Sequence, residues 1–461
     1  MRVLIHNTKW TFVCIPILVF LYYYFAYFVN RSDFLQLISV WTLLFIITYI
    51  LLEKCKVNFW LLAIVALLVR LLFIDVTPNL SQDFYRFIWD GRLLWNGYNP
   101  YLTLPVDWMT QGVLPIAEAE TLYKGMGPMN AGHYTNYPPV SQFIFGIAAL
   151  IDQSSITNAM IVIRTLLIIA DIGTLWIGYK LLLTLNLPAK RIFLFVLNPF
   201  IVIELTGNLH FEGVMVFFLL AGLYYLYQKK WVLSGVLIGV SIAVKLIPLL
   251  LLPVFIQYLT ANRTVFRDYK NLRFTIPMVF YSTVLLTVFI SFLPFLSKQF
   301  VSNFTASINL WFQTFEFNAS IYYILRWIGY QIKGWNLIET LGPTLSFCGL
   351  LWILTISLIR NNLKFIKLLT GLLFSIFIYY LFATTVHPWY LTVPLALSVF
   401  TRYRFMLLWS YCIILSYTAY TSTIYKENLY LVFLEYSIVV VFLSWEIIKY
   451  NRILNKNAKA F

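Results

Sequence analysis

The stretch SQDFYRFIWDGRLLWNGYNPY, residues 81–101, concentrates charge in a chain of which only 11% is charged. The residues that we single out in it are Asp83, Tyr85, Arg86, Trp89, Asp90 and Arg92. Asp83 and Asp90 lie seven positions apart, so on a helix they share a face with Arg86. Because the stretch follows a membrane-length apolar run, we expect a helix at the membrane surface that handles a polar, phosphate-linked ligand. The alternative is an interfacial helix whose charges are solvated.

The composition excludes an ordinary soluble domain, because 61% of the residues are hydrophobic and the mean hydropathy is +0.81. The apolar runs predict an all-α polytopic membrane protein, a bundle of about 13 to 14 transmembrane helices in a single domain over residues 1–461. The net charge of +15 comes from Lys and Arg in short loops and at the C-terminus, which is typical of the positive-inside rule. Since this leaves no basic soluble face, we expect no nucleic-acid partner.

The predicted spans follow from apolar runs of about 16–23 residues. They lie near 10–29, 34–52, 57–74, 161–184, 191–206, 211–228, 231–245, 246–260, 274–295, 337–359, 365–384, 388–401, 405–424 and 427–449. We interpret the first as a retained anchor helix, because it is long and lacks a small-residue cleavage site. The basic loops share one side of the membrane if 138–151 is a re-entrant or interfacial helix. Both termini are then cytoplasmic, with long outer loops near 75–160 and 296–336.

Several polar residues between the predicted spans fall on the same outer side. They are Asn208, His210, Glu212, Lys245 and His387. Polar and ionisable residues inside a membrane protein are costly, and they commonly mark a functional site. The sequence therefore predicts one polar site at the outer face of the membrane.

Asp83 is the leading candidate for a general base, since a carboxylate at the mouth of a membrane cavity can accept a proton from a hydroxyl group. Asp75 and Asp90 are competitors, although either could instead cap a helix or pair with Arg86 or Arg92. Three further acidic residues are expected to be solvated loop charges: Asp107, Glu118 and Glu120.

Lys245 lies in SGVLIGVSIAVKLIPLLLLP, a run otherwise free of charge, so an anionic partner is expected. Pro248 and Pro253 indicate a break that places Lys245 at an outer turn between two spans. There it could hold a phosphate as a point charge. The alternative is a lysine that only reaches towards the membrane interface.

The segment GNLHFEG, residues 207–213, joins two predicted spans with glycines that permit a tight connection. His210 and Glu212 offer a titratable pair or metal ligands, and a plain polar turn is the alternative. Two such residues without further ligands are a weak metal signal, and the scattered cysteines add none, so no metal site is predicted.

The segment His387-Pro-Trp-Tyr390 lies at a predicted span boundary. His387 can hydrogen-bond a ligand, while Trp389 and Tyr390 can stack on a sugar ring or belong to the aromatic belt of a membrane interface. Arg164 and Asp171, seven positions apart near the start of one span, could pair within it, and a structural role is favoured for Asp171.

The order of these segments resembles the GT-C superfamily of integral-membrane glycosyltransferases. The segments are SQDFYRFIWDGRLLWNGYNPY, YPPVSQF, NPFIVIELTGNLHFEGV and GVLIGVSIAVKLIPLLLLP, within residues 60–260. The D-x-Y-R-(x)3-D-G and G-Y-N-P-Y elements are similar to bacterial mannosyltransferases that use polyprenyl-phosphate-mannose. Beyond residue 260 the resemblance rests on the helix pattern alone.

The resemblance implies a GT-C-like bundle with interfacial helices in the long first outer loop, Asp83 as the catalytic residue and Lys245 on the donor phosphate. Where many members carry a plain acidic residue in the second outer loop, this chain has Glu212, and the HPWYL segment supports His387. The substrate-binding set is Tyr85, Arg86, Asp90, Arg92, His210, Glu212, Lys245, His387, Trp389 and Tyr390. The implied partners are a polyprenyl-phosphate-linked sugar donor, a glycan, glycolipid or protein acceptor, and the lipid bilayer, with no cofactor.

The implied reaction moves a sugar, mannose by the resemblance, to a hydroxyl group at the periplasmic face of a bacterial inner membrane. Two other classes share some of these features. A lipid-linked oligosaccharide ligase or polymerase also uses outer loops and phosphate-binding cations. A polyprenyl-lipid flippase or transporter needs charged groups inside a bundle, although here the polar residues collect on one face and no internal repeat is evident.

Overall fold

Helices make up the regular structure of the computed structural model, which describes residues 8–261, 275–422 and 425–458. Among these residues no β-strand occurs, and the one isolated bridge joins Phe317 to Thr385. The predicted all-α architecture is therefore confirmed. The two ends of the chain, which we expect in the cytoplasm, include residues 1–7 and 459–461, and these lie outside the described residues. The first residue of the predicted span 274–295 and the last two of 405–424 do so as well.

The α-helices are numbered in chain order. They are α1 Thr8–Phe28, α2 Phe34–Glu53, α3 Phe59–Leu71, α4 Asp83–Trp95, α5 Pro105–Thr110, α6 Ala119–Ala131, α7 Pro139–Ile151, α8 Ile156–Thr184, α9 Phe193–Val196, α10 Pro199–Ile201, α11 Glu212–Tyr227, α12 Trp231–Val244, α13 Ile256–Ala261, α14 Thr275–Phe292, α15 Lys298–Gln313, α16 Ile321–Lys333, α17 Ile338–Leu358, α18 Phe365–Phe382, α19 Thr392–Ser398, α20 Phe405–Cys412 and α21 Leu429–Ala458. A π-helical turn occupies Val202–Gly207, and 3-10 turns occupy Ala189–Ile192, Ile247–Phe255, Leu293–Phe295, Pro388–Leu391 and Ile413–Tyr420.

Seven helices of the described chain are long and apolar enough to cross a membrane. They are Trp10–Phe28, Phe34–Glu53, Ile156–Thr184, Thr275–Phe295, Ile338–Leu358, Phe365–Phe382 and Leu429–Arg452. An eighth span results if Pro199–Gly207 and Glu212–Tyr227, which meet at a bend of 115°, count as one. These helices support a polytopic integral membrane protein.

The expected 13 to 14 spans are reached only if shorter apolar helices of 10–17 residues also cross. Phe59–Leu71, Trp231–Val244, Ile247–Ala261 and Phe405–Tyr420 belong to this shorter class. The predicted span 388–401 is a 3-10 turn followed by the seven-residue helix α19. An apolar run shows that a segment avoids water, but it does not show whether the segment forms one continuous helix, so such breaks are not evident from composition. Segment 138–151, which we expected to be a re-entrant or interfacial helix, contains the 13-residue helix α7, and its placement in the membrane stays a prediction.

Arg164 closes the break between the π-helical turn and α11. Arg164 belongs to α8, and its side chain is buried. It donates hydrogen bonds to the carbonyl oxygens of Thr206 at 2.9 Å, Gly207 at 3.0 Å and Ile74 at 2.9 Å. Carbonyl groups that a broken helix leaves open must be satisfied inside the protein, because the surrounding hydrocarbon offers no donors. Arg164 therefore ties the end of the α3 region to the turn that carries residues 207–211.

Arg164 does not pair with Asp171, although their positions in the sequence left that possibility open. Asp171 instead accepts a 2.6 Å hydrogen bond from Nε of Arg70, and both side chains are buried. Residues seven positions apart on one helix are separated by about 10 Å along its axis, which leaves little reach for a direct bond. A partner from another helix, here α3, approaches sideways and satisfies the carboxylate.

Helix α4 is fixed against α7 by close backbone contact at Gly91. A Cβ atom at this position would lie 2.3 Å from the carbonyl oxygen of Phe145. One turn earlier, the ring of Phe87 stacks on the ring of Phe145 with centroids 4.8 Å apart. Gly91 therefore lets the backbones of α4 and α7 lie in direct contact.

We predict that Gly91→Ala lowers the free energy of unfolding by at least about 1–3 kcal/mol, because the methyl group meets backbone that cannot turn away. The matched control is Gly146→Ala on α7, where the added atom meets only the flexible end of Leu94 at 3.2 Å. Thermal unfolding of both variants in the same nanodiscs measures the effect. Equal stabilities would contradict the close-packing argument.

Candidate active site

A cavity of about 500 Å³ lies at the end of the bundle that carries the predicted outer loops. It is lined by residues from both halves of the chain. Its lining includes Arg31, Gln82, Asp83, Arg86, Asn130, Tyr137, Glu316, Phe317, His387, Trp389, Tyr417 and Tyr420. Asp83, Arg86, His387 and Trp389 of the predicted site residues thus share one cavity.

Asp83 begins α4, where the positive end of the helix dipole favours a carboxylate. Its oxygens accept hydrogen bonds from the amide of Asn130 at 3.3 Å and the hydroxyl of Tyr137 at 3.5 Å. Burial raises the pKa of Asp83 above its ordinary value, and the nearby Lys245 ammonium opposes this shift. Asp83 is therefore an oriented carboxylate at the cavity wall with one lone pair or more available to a ligand.

Lys245 follows the last residue of α12 in an extended conformation, at the break expected from Pro248 and Pro253. Its ammonium donates a 2.5 Å hydrogen bond to Glu212, whose side chain is fully buried. The ammonium also lies 5.5 Å from the centre of the Tyr137 ring, and so behind the residue that holds Asp83. The expected anionic partner of Lys245 is thus, in the structure, a carboxylate of the protein itself.

Arg86 and Asp90 form a buried ion pair of 2.7 Å within α4. Arg86 also donates to the backbone carbonyls of Asn130 and His133, while Asp90 accepts from Gln142 at 3.1 Å. Asp90 is therefore paired as the sequence allowed. It supports Arg86 and leaves Asp83 as the carboxylate that lines the cavity.

Two predicted site residues of α4 point into the first outer loop instead of the cavity. Arg92 pairs with Glu118 at 3.0 Å and donates to the carbonyl of Ala117 at 2.6 Å. Tyr85 packs on Gly125 of α6, where a Cβ atom would lie 2.6 Å from its ring. Neither lines the cavity. The expectation that Glu118 is a purely solvated charge is wrong, because its carboxylate anchors this loop to Arg92.

His210 does not pair with Glu212, although the two are close in sequence. Its Nε2 lies 3.7 Å from the carboxylate of Glu204, and its ring stacks on Trp389 with centroids 3.8 Å apart. Glu204 in turn accepts a 2.5 Å hydrogen bond from the hydroxyl of Tyr417. Leu209, the residue before His210, adopts φ +61°, in the left-handed region, and so turns the chain as it enters this segment.

His387 and Trp389 form part of an aromatic stack at the cavity wall. Their rings are nearly parallel, with centroids 4.6 Å apart, and Phe317 stacks on His387 at 5.0 Å. Burial lowers the pKa of His387 to about 3, so this imidazole is neutral at physiological pH. Tyr390 packs against Tyr380 and does not line the cavity. The stack occupies ring surface of Trp389 that a sugar would otherwise use.

Sequence reasoning missed four residues of this region: Arg31, Glu204, Glu316 and Tyr417. Arg31 lies in the short connector between α1 and α2. A charged residue in a connector predicted to be on the outer side was the feature of the sequence that could have revealed it. Glu316 and Tyr417 lie beyond residue 260, where no motif marked them. Among the described residues, no group of three His, Cys, Asp or Glu side chains is placed to hold a metal ion.

The fold and the cavity together define an all-helical, polytopic membrane protein with a charged cavity at its loop-bearing end. Residues 27–261 match the family described as alpha-(1->6)-mannopyranosyltransferase, N-terminal domain, and the chain belongs to this family. The resemblance to bacterial mannosyltransferases is thereby confirmed.

Two relatives carry the same description, "Alpha-(1->6)-mannopyranosyltransferase A". The protein from Mycobacterium tuberculosis is 25% identical over 337 residues, which cover 70% of this chain and 61% of the relative. The protein from Corynebacterium glutamicum is 24% identical over 194 residues, which cover 41% of this chain and 36% of the relative. The chain therefore spans about three fifths or less of the length of these relatives.

We predict that Lys245→Met destabilises the protein by about 3–5 kcal/mol, the range seen when one partner of a buried ion pair is removed, because Glu212 is left without its cation. The double variant Lys245→Met/Glu212→Gln should recover most of this loss, since it removes the stranded charge. Thermal unfolding midpoints in one lipid composition provide the comparison. Additive effects of the two substitutions would show that the pair is not coupled.

Proposed function

We propose that this protein transfers a mannosyl residue from a polyprenyl-phosphate donor to a hydroxyl group at the outer face of the membrane. Family membership and the relatives' descriptions support mannosyl transfer. The observation that carries the proposal is Asp83, a carboxylate oriented by Asn130 and Tyr137 on the wall of a charged cavity.

Asp83 serves as the general base in this proposal. It takes the proton of the acceptor hydroxyl as that oxygen bonds to the anomeric carbon of the sugar. The bond from this carbon to the phosphate oxygen breaks, and polyprenyl phosphate leaves with the electron pair. A single displacement of this kind inverts the configuration at the anomeric carbon. The phosphate ester is already a good leaving group, so the protein need only orient the reactants and balance charge.

Lys245 supplies positive charge behind the cavity. Burial raises the pKa of Asp83, and the ammonium of Lys245 opposes that rise, which favours the ionised form of the base. A direct contact of Lys245 with the donor phosphate, as the sequence predicts, would have the phosphate compete with Glu212 for the same ammonium. Arg86, held by Asp90, adds a fixed cation at the wall.

The remaining parts of the proposal follow the sequence. The acceptor is a glycan, a glycolipid or a protein, and the lipid tail of the donor lies between helices in the bilayer. The protein is located in a bacterial inner membrane, with both termini in the cytoplasm and the cavity open to the periplasm. Gathering of the polar residues at one end of the bundle favours transfer at one face over movement of a lipid across the bilayer.

Asp83→Asn should abolish transfer, because an amide cannot take the hydroxyl proton, while the similar shape preserves the contacts to Asn130 and Tyr137. Purified protein in nanodiscs is supplied with polyprenyl-phosphate-[14C]mannose and membrane glycan acceptors, and labelled product is counted.

Binding of labelled polyprenyl phosphate is measured alongside, and it should be retained in Asp83→Asn. Wild-type turnover in this variant would exclude Asp83 as the base. Cleavage of pyrophosphate-linked glycans in place of the mannosyl donor would identify a ligase or polymerase, and lipid movement without cleavage would identify a flippase.

A base works only when ionised, so kcat/KM should fall on acidification through the pKa of Asp83, which burial places above its ordinary value of 3.8. Lys245→Met removes the ammonium that opposes this shift, so the acidic limb should move to higher pH.

The matched control for the pH prediction is Lys124→Gln, which removes a charge from an exposed side chain of the same outer loop. This variant should keep the wild-type profile. An acidic limb that stays in place in Lys245→Met would separate Lys245 from the base.

A further inference from the structure

Four charged residues line the cavity, and two of them are neutralised by ion pairs. Arg86 is paired with Asp90 at 2.7 Å, and Glu316 is paired with Arg326. The other two are Asp83 and Arg31. Among the described residues, no carboxylate oxygen lies within 4 Å of the Arg31 guanidinium, and no cation lies within 4 Å of Asp83. The cavity therefore presents one negative and one positive group without an ion-pair partner.

Other cations near the cavity are less suited to a ligand anion. Lys245 does not line the cavity and already bonds Glu212. Burial lowers the pKa of both His133 and His387, which keeps these rings neutral. Arg31 is thus the cation at the wall whose charge no carboxylate balances.

The position of Arg31 is fixed by the segment that leads into α4. Its guanidinium donates to the carbonyl of Leu80 at 3.2 Å and to the side-chain oxygen of Gln82 at 3.5 Å. It also lies 4.5 Å from the centre of the Tyr420 ring, which lines the cavity too. The two hydrogen bonds use two of the five N–H donors of an arginine. The group is therefore oriented next to Asp83 with donor capacity left for a ligand.

We propose that Arg31 binds the phosphate of the polyprenyl-phosphate ligand. This inference rests on the proposed function, and it assigns the phosphate subsite of that same cavity. A guanidinium matches a phosphate with two parallel N–H donors, whereas an ammonium acts as a point charge. Because Gln82 adjoins Asp83 in sequence, a phosphate held by Arg31 places the leaving group close to the base. Lys245, which does not line the cavity, then has a different role: it pairs with Glu212 and opposes the rise in the pKa of Asp83.

The test measures the affinity for polyprenyl phosphate, because this lipid is the same whichever sugar the donor carries. Wild type, Arg31→Gln, Arg31→Lys and Lys124→Gln are compared in phosphatidylcholine nanodiscs, with binding followed by microscale thermophoresis. Arg31→Gln should lose about ten- to a hundredfold in affinity, the value of a hydrogen-bonded charge contact. The affinity of Arg31→Lys should lie between those of wild type and Arg31→Gln, since lysine keeps the positive charge but lacks the two parallel N–H donors of a guanidinium. Lys124→Gln should match wild type.

A second arm separates the lipid-linked ligand from other sources of phosphate. Free inorganic phosphate and phosphatidylglycerol are added as competitors, and neither should displace polyprenyl phosphate at equal concentration if the prenyl chain contributes to binding. Displacement by phosphatidylglycerol with the same dependence on Arg31 would assign the residue to bulk lipid head groups and overturn the proposal.

The outcomes for the two proposals differ. Unchanged affinity in a folded Arg31→Gln, with normal mannosyl transfer by wild type, would overturn the role of Arg31 and leave the proposed function intact. Binding that depends on Arg31 without mannosyl transfer would retain the phosphate subsite and overturn the proposed function. No binding by wild type would overturn the subsite. In the transfer assay, Arg31→Gln should raise the KM for the donor more than it lowers kcat.

Discussion

The three hydrogen bonds of Arg164 are the interaction on which the rest of this structure depends. Two of them satisfy the carbonyl groups of Thr206 and Gly207 at the break before α11, and the third satisfies that of Ile74 beyond the end of α3. The break carries Asn208, whose side chain accepts a 3.0 Å hydrogen bond from the amide of Leu80. It also sets the start of α11, where Glu212 meets Lys245. One buried guanidinium therefore positions both the segment leading to Asp83 and the ion pair behind it.

Charge balance within the bundle follows the same physical rule. Arg70 meets Asp171, Arg86 meets Asp90 and Lys245 meets Glu212, so each of these three buried carboxylates has a cation at 2.7 Å or less. Burying a charge without a partner is costly, and such pairs fix side chains in single arrangements. The proposed chemistry depends on the exceptions. Asp83 and Arg31 line the cavity without ion-pair partners among the described residues, which suits the proposed base and phosphate contact.

The cavity is lined by two regions of the chain, one inside the part that matches the family and one beyond it. The matched region, residues 27–261, supplies Arg31, Asp83 and Tyr137, together with Lys245 behind them. The part beyond it supplies Glu316, His387, Trp389 and Tyr417. Contacts join the two regions directly, since Trp389 stacks on His210 and Tyr417 bonds Glu204. The lining of the cavity therefore comes from two separate stretches of the chain that pack against each other.

The sequence by itself determined the class of the molecule, because apolar run length and charge placement follow from the cost of polar groups in hydrocarbon. It also singled out two candidates: Asp83, in a charge-rich stretch after an apolar run, and Lys245, a lone charge within an apolar run. Only the tertiary structure decided the partners. Asp171 pairs with Arg70 instead of Arg164, His210 meets Glu204 instead of Glu212, and Arg92 turns away to Glu118. The physical reason is that ion pairs and ring stacks form between helices, and spacing along one helix carries no information on what approaches it from the side.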